Sequence, residues 1–190
     1  MFHKEVITLT NLSEYRDIDI YIDEQANVAI YPQAKNPNYE EHDLDDILHK
    51  RMDVSTVPMH IPAKEPIELK MPYRIEDVAN AIEEAFRLWE KCEPLSLRTK
   101  TIEEHYYKIK GFKRASFGKK MISAGWDDYR GKYVDLSVPS KTGKYYWTLK
   151  KITLAKEADW TDFANAVLEL IHTDITQLSA YKTYKSKLNI

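Results

Sequence analysis

The sequence predicts an α+β domain made of two fused strand-strand-strand-helix half-repeats, forming a pseudo-twofold, mainly antiparallel sheet with helices packed on one face. Three observations predict it. The hexapeptide DVANAI at 77–82 aligns without gaps on DFANAV at 162–167, an offset of 85 positions (162 − 77). At the same offset Ile67 meets Ile152 and Leu69 meets Leu154, so the strand that leads into each helix is repeated as well. Each half also holds a hairpin pattern ahead of that strand. Amphipathic helices share apolar spacing for physical reasons alone, because i, i+3, i+4 and i+7 must be apolar to bury one face. That spacing does not demand identical Asp, Asn and Ala in the same order, which points to duplication. The chain, 1–190, reads as a single domain with repeats at 17–92 and 121–173 and a basic linker, 93–120, between them.

In chain order, DIDIYIDEQANVAIYP (17–32) alternates Ile18, Ile20 and Ile22, turns through 23–27 and resumes at Val28 and Ile30, a β-hairpin pattern. MISAGWDDYRGKYVDLSVP (121–139) is its counterpart, with the turn at 127–131. Pro32 and Pro139 mark the strand exits, because proline has no amide donor for a ladder. About thirty-five residues separate Pro32 from Ile67 but only about thirteen separate Pro139 from Ile152, so the first half carries an insertion of roughly twenty. Within it, DLDDIL (43–48) suits a short helix, since acids favour the positive end of the helix dipole. Pro94 ends the first repeated helix near Cys92. Residues 101–110 suit a short helix with Thr101 and Glu104 at capping-box spacing. KGFKRASFGKK (110–120) reads as a loop or an edge, and the last ten residues, YKTYKSKLNI, as a solvated tail. The expected core is Ile67, Leu69, Val78, Ala81, Ile82, Phe86, Ile152, Leu154, Phe163, Ala166, Val167 and Ile171.

Hydrophobic residues at 43% and charged residues at 31% fit a soluble globular domain rather than a disordered or fibrous chain. No basic start followed by an apolar stretch opens the sequence, and no run approaches a membrane span, so a cytoplasmic protein is expected. The single cysteine, Cys92, has no internal disulfide partner and reads as an incidental thiol. The net charge of −2 conceals a polarity along the chain. Residues 1–95 carry 10 Lys and Arg against 20 Asp and Glu, net −10; residues 96–190 carry 18 against 10, net +8. Such asymmetry bears on partners and association rates.

Candidate chemistry divides as follows. Asp77 and Asp162 sit in the first turns of their helices and are explained by capping. Asn80 and Asn165 read as solvent-facing residues kept by duplication, with a polar site at the pseudo-twofold axis as the functional alternative. The acidic insertion, Glu40, Glu41, His42, Asp43, Asp45 and Asp46, matches neither a calcium-loop nor a His-Glu-x-x-His spacing; it reads as a solvated loop or as a contact surface for a basic protein. Lys108, Lys110, Lys113, Arg114, Lys119 and Lys120 are interleaved with Tyr106, Tyr107, Phe112 and Phe117. Rings among cations suit single-stranded nucleic acid, since bases stack and phosphates are neutralised, although no nucleic-acid motif accompanies them. No nucleophile with a supporting base and no glycine-rich phosphate loop is present in the sequence. The six histidines, His3, His42, His49, His60, His105 and His172, form no ligand spacing. The expectation is therefore a non-enzyme with no cofactor and no metal.

The hairpin GWDDYRGKYVDLSVP (125–139) after a basic, aromatic segment, together with a doubled strand-helix unit bearing DVANAI and DFANAV, resembles the immunity proteins of contact-dependent growth inhibition systems, which are polymorphic toxin systems of bacteria. The resemblance spans residues 18–171, and the long acidic insertion after Pro32 departs from it. It implies a small cytoplasmic protein without catalytic activity that binds and blocks a cognate toxin C-terminal domain, often a basic nuclease. Contact surfaces diverge within such proteins, so no contact residue carries over. Glu40, Glu41, Asp43, Asp45 and Asp46 are the expected partner-binding residues on charge and insertion grounds alone. Neither a membrane nor a small-molecule ligand is expected. The alternative is a nucleic-acid-associated protein using the basic second half.

Overall fold

The computed structural model describes residues 15–37, 60–95, 101–116, 118–127, 130–140 and 146–188. Its elements are β1 (Arg16–Ile22), β2 (Val28–Tyr31), β3 (Gln33–Lys35), β4 (His60–Pro62), β5 (Ile67–Leu69), α1 (Ile75–Arg87), α2 (Ile102–Tyr107), α3 (Phe112–Ser116), β6 (Met121–Asp127), β7 (Gly131–Pro139), β8 (Tyr146–Thr153), α4 (Trp160–His172) and α5 (Ser179–Leu188). The predicted α+β class is the observed one. Among the described residues the strands form a six-stranded antiparallel sheet in the order β5-β2-β1-β6-β7-β8, and a separate β3-β4 pair. The order reads outward from the β1-β6 pair through matching strands of each half. β1 and β6 join the halves with Ile20 opposite Ile122 and Asp17 opposite Gly125. Gly125 is obligatory there, because a Cβ would stand 2.3 Å from the Arg16 carbonyl oxygen.

Both hairpins form where the alternation places them. Asp23 closes the first turn, its carboxylate accepting from the amides of Gln25 and Asn27 while Ala26 takes φ 61°. Pro32 ends β2, and its carbonyl accepts the Ala63 amide at the root of the insertion. The inward positions Ile18, Ile20, Ile22, Val28, Ile30, Ile122, Ala124, Trp126, Val134 and Leu136 face α1 and α4. The predicted helical core residues Val78, Ala81, Ile82, Phe86, Phe163, Ala166, Val167 and Ile171 are buried in this layer. Ile67, Leu69, Ile152 and Leu154 are partly buried against it. The end of α1 meets the start of α4 in an aromatic knot: the Phe86 ring lies 4.5 Å from Trp126, 5.4 Å from Trp160 and 6.1 Å from Phe163.

Three expectations are corrected. The first repeated helix ends at Arg87 rather than near Cys92, because Leu88–Lys91 turn back and Glu90 takes φ 58°. The segment 110–120 is not only a loop: it contains α3. The tail is not solvated throughout. It forms α5, whose Tyr184 is 6% exposed, packs with Val138 and Leu149, and donates its hydroxyl to the Pro139 carbonyl at 2.8 Å. Burial of Tyr184, with its ring 6.4 Å from Trp147 and 5.6 Å from Tyr181, offsets the ordering of a short helix that its polar sequence alone would not stabilise.

The segment between the halves forms a second layer on the other sheet face. The α2 capping box is present, with the Thr101 amide donating to the Glu104 carboxylate and the Glu104 amide to the Thr101 hydroxyl. Ile102, Leu95, Tyr106 and Tyr107 pack on Tyr21, Ala29, Tyr31 and Met121. The outward face of the first half is thereby covered, which amphipathic alternation in β1 alone does not reveal.

Candidate functional site

The five expected contact acids, Glu40, Glu41, Asp43, Asp45 and Asp46, lie outside the described residues. What is described is the root from which their insertion springs. The β3-β4 pair sets Gln33 opposite Pro62 and Lys35 opposite His60. His60 Nε2 lies 2.7 Å from Glu90 Oε1, and its ring sits 4.1 Å from Trp89, over which Arg16 also lies. The Leu95 amide donates to the Pro62 carbonyl, and the Glu90 amide to that of Gln33. The insertion therefore rises from a root fastened to the end of α1.

Beside this root runs a row of carboxylates that sequence reasoning missed. Alternation puts Asp17, Asp19 and Tyr21 on the sheet face opposite α1. Register aligns Asp19 with Ser123, Ser123 with Asp135, and Asp135 with Lys151. Asp17 receives the Tyr15 hydroxyl at 2.6 Å and Asp19 the Gln33 amide at 2.9 Å. Arg130 spans Asp127 at 2.7 Å and Asp135 at 3.3 Å, its guanidinium 3.6 Å from the Tyr133 ring centroid. Burial raises the Asp17 and Asp135 carboxyls above the ordinary range, and burial, then the charge of Asp17, pushes Asp19 up to about 7. Glu103, whose carboxylate accepts the Tyr146 hydroxyl, is raised by burial as well. No charged side chain among the described residues forms an ion pair with Asp17 or Asp19, so their ionised forms are held at a cost. The sequence signal was the pair of acids at i and i+2 on the face shared with Tyr21, which reads as solvent-facing until a second layer is known.

Part of the basic segment is used within the fold. The Tyr106 and Tyr107 hydroxyls donate to the Asn27 and Ile22 carbonyls, and both rings face the sheet. Lys119 pairs with Glu24 at 2.9 Å and lies over Tyr107. Lys120 donates to the carbonyls of Ile171 and Thr173, neutralising the negative end of α4. A stacking platform for bases needs exposed rings, and these two rings are committed to packing. Asn80 and Asn165 are both exposed, in agreement with a solvent-facing place. Asp77 and Asp162 accept the Arg74 and Asp159 amides, the capping role expected of them. Cys92 is half-buried, and burial raises its thiol.

Among the described residues no group of three or more His, Cys, Asp or Glu is placed to hold a metal ion, and no helix is long and apolar enough to cross a membrane. No family model matches the chain, and no curated protein matches it. A protein of unknown function from Neisseria meningitidis has a similar solved structure, at 8% identity and a TM-score of 0.44, over 85% of this chain and 96% of that one. A likeness at that level carries no function across.

Proposed function

We propose that this protein is an immunity protein, which binds a cognate bacterial toxin domain, a basic nuclease, in the cytoplasm and neutralises it by protein-protein contact. The observation that carries the reading is the segregation of charge, net −10 over residues 1–95 against +8 over the rest. An acidic surface mimics a phosphate backbone, steers a basic nuclease into encounter and sits over its active site. The half-buried Asp17 and Asp19 next to the insertion root support it, because an incoming cation offsets the cost of keeping them ionised. Glu40, Glu41, Asp43, Asp45 and Asp46 remain the proposed contact set.

The test is growth of cells expressing the toxin-like C-terminal fragment encoded beside this gene. Co-expression of the wild-type protein restores growth, and simultaneous charge reversal of Glu40, Glu41, Asp43, Asp45 and Asp46 abolishes the rescue. Rescue that survives the reversal moves the interface elsewhere. No rescue, with the fragment toxic by itself, defeats the reading for that partner.

A further inference from the structure

The two halves cover their outermost strands differently. α1 packs on β1, β2 and β5, reaching the edge of its half, whereas α4 packs chiefly on β6 and β7 and α5 packs on the start of β8, so that the end of β8, from Ile152, is left partly open on the helix side. The result is a cleft of about 320 Å³ between β8 and α4, floored by Ile152, Leu154, Ala158 and Ala166 and walled by Asp162 and Asn165.

The cleft runs along a strand edge. The Leu154 amide donates to the Lys132 carbonyl, and register places Ile152 opposite Val134. In an antiparallel ladder inward and outward backbone groups alternate, so those of Lys151 and Thr153 point away from β7. Among the described residues no strand pairs with them. Asp162 lines the cleft and, with Glu157 and Asp159, acts on the buried Lys132 from a distance; none of the three forms an ion pair among the described residues. Glu169, further along, is answered by Lys150 at 2.7 Å.

We infer that this cleft receives an extended segment of the partner toxin domain, added as a strand beside β8, with a lysine or arginine directed at Asp162 and its acidic neighbours. Main-chain hydrogen bonds to Lys151 and Thr153 supply affinity, the apolar floor takes alternate side chains, and Asp162, which has no ion-pair partner among the described residues, selects a cation. The inference rests on the proposed immunity reading and adds a second contact surface, on the half remote from the acidic insertion.

Two cleft substitutions and one control address it without touching the core. Asn165→Arg fills the cleft and repels a cation, while Asn80→Arg makes the same change at the repeat-related position, where α1 covers its edge strand. Thr153→Pro removes an outward amide that no described ladder bond uses. Affinity of each purified protein for the neighbouring toxin-like C-terminal fragment is measured by calorimetry, with melting curves confirming the fold. The expected result is at least about tenfold weaker binding for Asn165→Arg and Thr153→Pro, with Asn80→Arg unchanged. Wild-type affinity retained by both cleft variants overturns the cleft and leaves the immunity reading standing. A wild-type protein that does not bind the fragment overturns both.

Discussion

The two halves share a plan but differ at one position with large consequences. In the first half Val28 lies opposite Leu69. In the second, Lys132 holds the corresponding place beside Leu154, the repeat partner of Leu69. Val28 joins the core, whereas Lys132, 3% exposed, sends its ammonium to the carbonyls of Lys156 at 2.5 Å and Ala158 at 2.6 Å. Burial lowers its pKa. The lysine thus fastens the loop that leads into α4, at the head of the cleft beside β8.

The deepest way to break the resemblance is in the aromatic knot. Position 163 is Phe where its repeat partner, 78, is Val, and both are fully buried. Phe163→Ala should destabilise by about 3–5 kcal/mol through lost burial and a residual cavity, and Val78→Ala by less, as read by urea unfolding. Lys132→Met should cost about 2 kcal/mol, because the Lys156 and Ala158 carbonyls lose their donor. Amide exchange should then quicken at residues 154–158 and stay unchanged at 67–75.

Asp19 gives a comparison across pH. Its carboxyl is raised to about 7 in the fold, against an ordinary value near 4 in the unfolded chain. The folded state therefore holds its proton where the unfolded state has lost it. Stability contributed by this group is full below about pH 4, falls as pH rises towards 7, and is level above that. Asp19→Asn should flatten this dependence and, at pH 8, melt later than wild type, by on the order of 1–2 kcal/mol.

The smallest effects lie at the helix starts. Asp159 caps α4 with its own carboxylate, accepting from the Thr161 and Asp162 amides, while Arg74 at the start of α1 has no side-chain acceptor to offer, and its amide and guanidinium both donate to Asp77. Asp159→Ala should cost about 1 kcal/mol, and Arg74→Ser should gain a few tenths, both seen in thermal melts.

These contrasts also explain what could be read beforehand. The doubled helix, both hairpins and the helical core were legible because apolar period and turn chemistry act locally. The carboxylate row was not: Asp17 and Asp19 read as the wet side of a strand, and only α2 and the insertion root, brought in from distant sequence, make that side half-buried. Tyr184 was hidden in a polar tail for the same reason, since its partners Val138 and Leu149 lie far away in the chain. The basic segment was legible only in part. Lys120 and Tyr107 look like a nucleic-acid surface in sequence but serve a helix end and a sheet face. The five acids Glu40, Glu41, Asp43, Asp45 and Asp46 rest on charge and insertion length alone.

The central claim is neutralisation by direct contact, and the most direct measurement is the affinity of the purified protein for the purified toxin-like fragment encoded beside it, titrated at low and physiological salt. The account predicts a one-to-one complex of about nanomolar affinity whose association slows as salt rises. Absence of binding at low salt, with both proteins folded and the fragment active, would contradict it.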